Sequence, residues 1–151
     1  MVNLDFTHTD YFTASLTRQN DYLHLKNNPM STIFAVYCAG VAIECMFRAY
    51  IVRYTKEFDS RHDIDKLFVK SQLSNKLDST QKEVISIAVK KANNLWKNEF
   101  RYVSEVRMKR IIAHKIVKKG YTDINKYIVK YNKDLFDAAE IIIKIGSDKW
   151  N

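Results

Sequence analysis

Apolar residues recur along this chain at three- and four-residue spacing rather than in strict alternation, which is the period of α-helices. Between about Asp10 and Lys26, Tyr11, Phe12, Leu16, Tyr22 and Leu23 predict a helix with one apolar side, capped by Thr9 or Asp10. Asn27, Asn28 and Pro29 close it, because the residue before a proline is biased away from helix. A second helix is expected from Ser31 to Thr55, apolar nearly all round through Phe47, the pattern of a central buried helix. Phe58 to His62 reads as a turn, and a short helix from about Ile64 to Leu73 groups Ile64, Leu67 and Phe68.

Asp78 and Gln81 have the spacing of a capping box. They open a fourth helix reaching about Glu99, with Val84, Ile87, Ala88, Leu95 and Trp96 as its predicted core side. A break is expected around Phe100 to Tyr102. A fifth helix follows from about Ser104 to Lys119, stopped by Gly120. The segment from Tyr121 to Tyr131 is consistent with helix or loop. A last helix is expected from near Asn132 to Gly146, carrying Leu135, Phe136, Ala139, Ile142 and Ile143. With no repeat or linker to divide it, the pattern predicts a single domain over residues 1–151, an all-α antiparallel bundle of five to six helices.

Composition agrees. The chain has 151 residues, 46% hydrophobic and 28% charged, with three glycines and one proline, too few for the turns of a β-sandwich. The longest stretch without a strongly polar residue, Ile33 to Ile43, is shorter than a bilayer span, and the N-terminus lacks the pattern of a signal peptide. Cys38 and Cys45 sit seven apart on one helix, roughly 10 Å of rise, too far to bridge. They are expected as buried thiols in a reducing cytoplasm, with no metal site and no cofactor.

The net charge of +8 is not evenly spread. Residues 82–130 hold 13 Lys/Arg against four Asp/Glu, and the remainder is slightly acidic. A localised basic surface suits an extended anion such as nucleic acid, although a solvated lysine-rich face gives the same count. On the fifth helix, Arg107, Arg110, His114 and Lys118 fall within an arc of roughly 80°. Such a stripe has the groups for metal-free RNA cleavage. Arginine can bind the scissile phosphate in a bidentate way, and imidazole can take the ribose 2′-OH proton or protonate the leaving 5′-oxygen. The same spacing also suits a packed histidine beside solvated arginines. Arg101, Arg110, Lys115 and Lys118 are the candidate nucleic-acid contacts, and aromatic residues interleaved with them, including Trp96, Tyr127 and Tyr131, are suited either to a core or to stacking on unpaired bases.

Four polar residues read as structural. Glu44 and Arg48 are four apart on the apolar second helix with the acid first, the favourable order for a pair. His62 and Asp63 stand at a helix start, where Asp63 can cap. No Gly-rich phosphate loop, G-x-S-x-G or H-E-x-x-H occurs.

Several of these segments resemble HEPN domains. The run Ala39 to Tyr50, alanine-rich with Glu44 and then Arg48, is similar to the second-helix signature of that family. His62-Asp63-Ile64-Asp65-Lys66-Leu67 resembles its short His-Asp-Leu segment, and Trp96 through Arg101-Tyr102 resembles its Arg-Tyr motif. The closing Ala138-Ala139-Glu140-Ile141-Ile142 is similar to its final helix. The resemblance implies a small α-bundle, frequent homodimers, and binding of nucleic acid or nucleotides. Many members are toxin or defence ribonucleases with an arginine, four to six residues and then a histidine, and Arg107 to His114 has six between. Met108 stands where the family often has a small polar residue. The resemblance therefore implies an RNA-directed protein of a toxin–antitoxin or phage-defence system, with Arg107 and His114 as its catalytic pair. The alternative it implies is a non-catalytic module that binds nucleotides or docks a partner such as an antitoxin or a nucleotidyltransferase.

Overall fold

The computed structural model describes residues 5–28, 31–98, 103–119 and 124–151. Among them there is no strand, and the chain forms an all-α bundle. The helices are α1 (His8–Leu25), α2 (Thr32–Thr55), α3 (Ile64–Ser71), α4 (Ser79–Leu95), α5 (Glu105–Lys119) and α6 (Ile124–Asp148), with a 3₁₀ turn at Leu73–Lys76.

α2 is the axis. Every side chain from Ala42 to Ile51 is buried, which requires neighbours all round, and α1, α3 and α6 supply most of them. Each large aliphatic or aromatic side chain buried here is worth roughly 1.5–3 kcal/mol against exposure. By length and composition α2 would suffice to cross a membrane, contrary to the count that ended at Ile43. The apolar stretch resumes beyond Glu44, but 83% of its most apolar window is buried inside the protein. α1 lies along α2 more extensively than any other pair of helices meets. Ser15, wholly buried, donates from Oγ to the carbonyl of Ala42 at 2.6 Å, so a small residue marks the close approach.

Several boundaries and faces differ from the sequence reading. The cap of α1 is Thr7, not Thr9 or Asp10. Asp10 is the reciprocal member of a capping box: Thr7 Oγ1 accepts the Asp10 N–H at 3.2 Å and Asp10 accepts the Thr7 N–H at 2.8 Å. The buried seam of α1 runs through Ser15 and Tyr22, so Leu16 and Leu23 face outward. Asp78 and Gln81 do form their capping box. α4 buries Ile85, Ala88, Val89 and Ala92, while Val84 and Ile87, assigned inward by the pattern, face solvent. Two adjacent apolar stripes compete on that helix, and the one with alanines lets it sit closer to its neighbours. α4 stops at Leu95 because Trp96 takes an extended backbone (φ −84°, ψ 127°), which turns its indole into the core.

The largest difference is α6. It begins eight residues before Asn132 and runs through Gly146 without a break. Tyr131 extends the buried stripe toward the N-terminus, with Tyr127 and Ile128 packed beside it. Gly146 is no stop signal. A Cβ there would lie 2.6 Å from Met46 Cγ and Sδ, so the glycine admits α2. Tyr50 fastens the same place, donating its hydroxyl to the Gly146 carbonyl at 2.6 Å. Beyond it, Trp150 stacks on Phe12 (4.6 Å between centroids, 7° between planes) and lies under the Arg53 guanidinium at 4.6 Å.

Phe100 to Tyr102, including Arg101, lie outside the described residues, as do Gly120 and the segment from Tyr121 to Asp123. Cys38 and Cys45 are free and buried, and burial pushes each thiol up to about 11.

Candidate functional site: the outer face of α5

α5 starts where Ser104 caps it. Its Oγ accepts the Arg107 N–H at 3.2 Å, and its carbonyl accepts the Met108 N–H at 2.9 Å. Arg107 therefore stands in the first turn, in a fixed rotational register. Met108, 4% exposed, pins one side of the helix to the core, and Ile111 is half-buried. Arg107, Lys109, Arg110 and His114 then face solvent. Val106 is 60% exposed, since Met108 sets the buried side.

Arg107, Arg110, Ile111 and His114 line one open depression of about 380 Å³. Their spacing places them along two turns of one helical face. The depression thus has two guanidinium groups, an accessible imidazole and an aliphatic floor. This set can grip a phosphate and move a proton, and its openness suits a polymer better than an enclosed small molecule. The side chains of Lys115 and Lys118 lie outside the described residues. Among the described residues no three His, Cys, Asp or Glu side chains converge as metal ligands.

The other polar candidates form a separate, buried cluster. Glu44 is 2% exposed and receives three donors: Trp96 Nε1 at 2.8 Å, Arg48 Nη1 at 2.9 Å and His62 Nδ1 at 3.1 Å. Arg48 also donates from Nε to the Asp59 carbonyl at 3.0 Å and from Nη2 to the Arg61 carbonyl at 2.7 Å. Asp63 caps α3, accepting the Lys66 N–H at 3.0 Å. The cluster joins α2 to the loop before α3 and to the end of α4. His24 bonds within its own helix to the Asn20 carbonyl at 2.7 Å, and His8 sits against Trp150.

Asp59 completes the loop and was not singled out by sequence. Nothing local marks it as buried, yet its side chain is 4% exposed and pairs with Arg61 at 2.5 Å and Lys70 at 3.6 Å. Hydrogen bonds from Arg61 hold its carboxyl well below the usual range, against the opposing effect of burial. A carboxyl depressed in the folded state stabilises fully above its unfolded pKa of about 4, and that contribution is lost as pH falls toward the folded value. Asp59→Asn should therefore be less stable than wild type at pH 6 in urea titrations, with the gap narrowing below about pH 4. A gap independent of pH would show that the charge of Asp59 is not what stabilises the loop.

Comparison of the chain with protein-family models, with curated proteins and with solved structures finds no match in any of the three.

Proposed function

We propose that this chain is a HEPN-like antiparallel bundle acting on RNA, a metal-independent endoribonuclease of a toxin–antitoxin or phage-defence system in the cytoplasm. The observation that carries the reading is the shared depression on α5, where Arg107, Arg110 and His114 meet on the solvent side of a helix anchored by Met108. The basic excess of residues 82–130 supports it, because it supplies the long-range attraction an RNA strand needs.

In this mechanism Arg107 binds the scissile phosphate and offsets the charge that builds on its oxygens. His114 takes the proton from the ribose 2′-OH. The 2′-oxygen attacks phosphorus, the bond from phosphorus to the 5′-oxygen breaks, and the leaving oxygen takes a proton from water, whose hydroxide is neutralised by the proton that His114 carries. The products are a 2′,3′-cyclic phosphate and a 5′-hydroxyl. The described groups lining the depression come from one helix, so a homodimer, with a second copy facing α5, is the proposed working form.

Incubation with RNA in EDTA tests this. Wild type should cut, and His114→Ala should cut about a hundred- to ten-thousand-fold more slowly with its circular dichroism unchanged. Arg107→Ala should lose cleavage likewise. Intact RNA after incubation with wild type, or equal cutting by His114→Ala, would overturn the nuclease assignment. Binding without cutting would leave a nucleic-acid-binding module.

A further inference from the structure

A second polar groove lies between α4 and α6, and shares no described lining residue with the α5 depression. It encloses about 250 Å³ and is lined by Lys91, Asn94 and Leu95 of α4 and by Tyr127, Lys130, Tyr131 and Asp134 of α6. The α6 residues follow the i, i+3, i+4, i+7 pattern of one helical face, and those of α4 follow i, i+3, i+4. Two helix faces therefore meet along it. Tyr131 forms a fixed floor: it is 5% exposed and donates its hydroxyl to the Leu95 carbonyl across the groove.

The charges here behave differently from those elsewhere on α6. Lys133 and Asp137 close an ion pair at 2.6 Å, and Lys144 and Asp148 close one at 3.1 Å. Lys130 and Asp134 have the same four-residue spacing, yet among the described residues neither they nor Lys91 form any ion pair. Two ammonium groups, a carboxylate and an amide thus open onto one groove beside the Tyr127 ring. A ligand that satisfies all of them carries an anion, a flat face and hydrogen-bond donors on its edge. A nucleotide has these three features. An acidic peptide would meet the Asp134 carboxylate with like charge, and a duplex keeps its base faces covered.

We propose that this groove binds an unpaired nucleotide of the RNA strand, resting on the reading of the protein as RNA-directed. Lys91 and Lys130 hold its backbone phosphates, the base lies against Tyr127, and the base edge donates to Asp134, with Asn94 beside it. The groove is a positioning site for the strand, distinct from the residues that cut.

Fluorescence anisotropy with a labelled ten-nucleotide single-stranded RNA tests it. Tyr127→Leu should weaken binding about five- to 150-fold, the loss of one stacked base, while Tyr127→Phe, which keeps the ring, should bind within about twofold of wild type. Lys91→Gln with Lys130→Gln should flatten the salt dependence by about 1.4 log units per log unit, two single-strand phosphates. A duplex of the same length should bind Tyr127→Leu and wild type alike. Unchanged single-strand binding by Tyr127→Leu, with Arg107→Ala and Arg110→Ala weakened, would overturn the groove and leave the RNA reading standing. Equal losses for single strand and duplex would reduce it to a basic surface and overturn the nucleotide site. No binding of RNA by wild type would overturn both.

Discussion

Glu44→Ala should lower the unfolding free energy by about 3–5 kcal/mol in urea titration, a large part of the roughly 5–15 kcal/mol a domain of this size possesses. The reason is the isolation that the substitution imposes. Arg48 is 8% exposed and would keep its two backbone acceptors but lose its counter-charge, and the Trp96 indole N–H would lose its acceptor in the core. A buried pair is costly to break mainly because the surviving charge is left uncompensated. Glu44→Gln should cost less, since an amide still accepts from Trp96, though it cannot neutralise Arg48. Replacing both partners, Glu44→Leu with Arg48→Met, should recover part of the loss, because the desolvation of two ions disappears with them. His62, whose side chain is 37% exposed, should matter least of the three donors, since water can replace its partner. A loss below about 1 kcal/mol for Glu44→Ala would refute the idea that this carboxylate holds the loop before α3 in place.

How far the sequence could be read depended on the distance over which each signal acts. The pairing of Glu44 with Arg48 was legible because one turn of helix brings them together. So were the capping box of Asp78 and Gln81 and the shared face of Arg107, Arg110 and His114 on α5, both local geometry. Trp96 was a different matter: it meets Glu44 across 52 positions, and nothing in either neighbourhood announces the other. Gly146 was misread for the same reason. A glycine after an apolar helix looks like a terminator, and only the position of Met46, a hundred residues earlier, shows it to be an approach point. Val84 and Ile87 failed because two apolar stripes lay side by side on α4, and the choice between them was made by the packing partner. The α4–α6 groove was not legible as a site: Tyr127 and Tyr131 read as core or stacking residues, but nothing local sets them beside Lys91 and Asn94 of another helix.

The contact of Trp96 with Gly40 gives the second large effect, and one whose sign depends on the partner. Gly40 lies inside α2, where alanine would ordinarily be favoured by about 1 kcal/mol. Yet a Cβ at Gly40 would stand 2.2 Å from Cδ2 of the Trp96 ring and 2.5 Å from its Cε2 and Cε3. The ring is rigid, 3% exposed, and tethered by its N–H to Glu44 on the next turn of the same helix, so it cannot swing aside without breaking that bond. Gly40→Ala should therefore destabilise by about 1–3 kcal/mol despite its better helix propensity. Trp96→Ala should cost about 3–5 kcal/mol, from the cavity left and the lost hydrogen bond. The informative measurement is the double variant. With the indole gone, the Gly40 methyl enters empty space, and Gly40→Ala on the Trp96→Ala background should become neutral or stabilising by up to about 1 kcal/mol. Two additive losses would mean that the ring and the glycine are not coupled, and that Gly40 serves some purpose other than admitting the tryptophan.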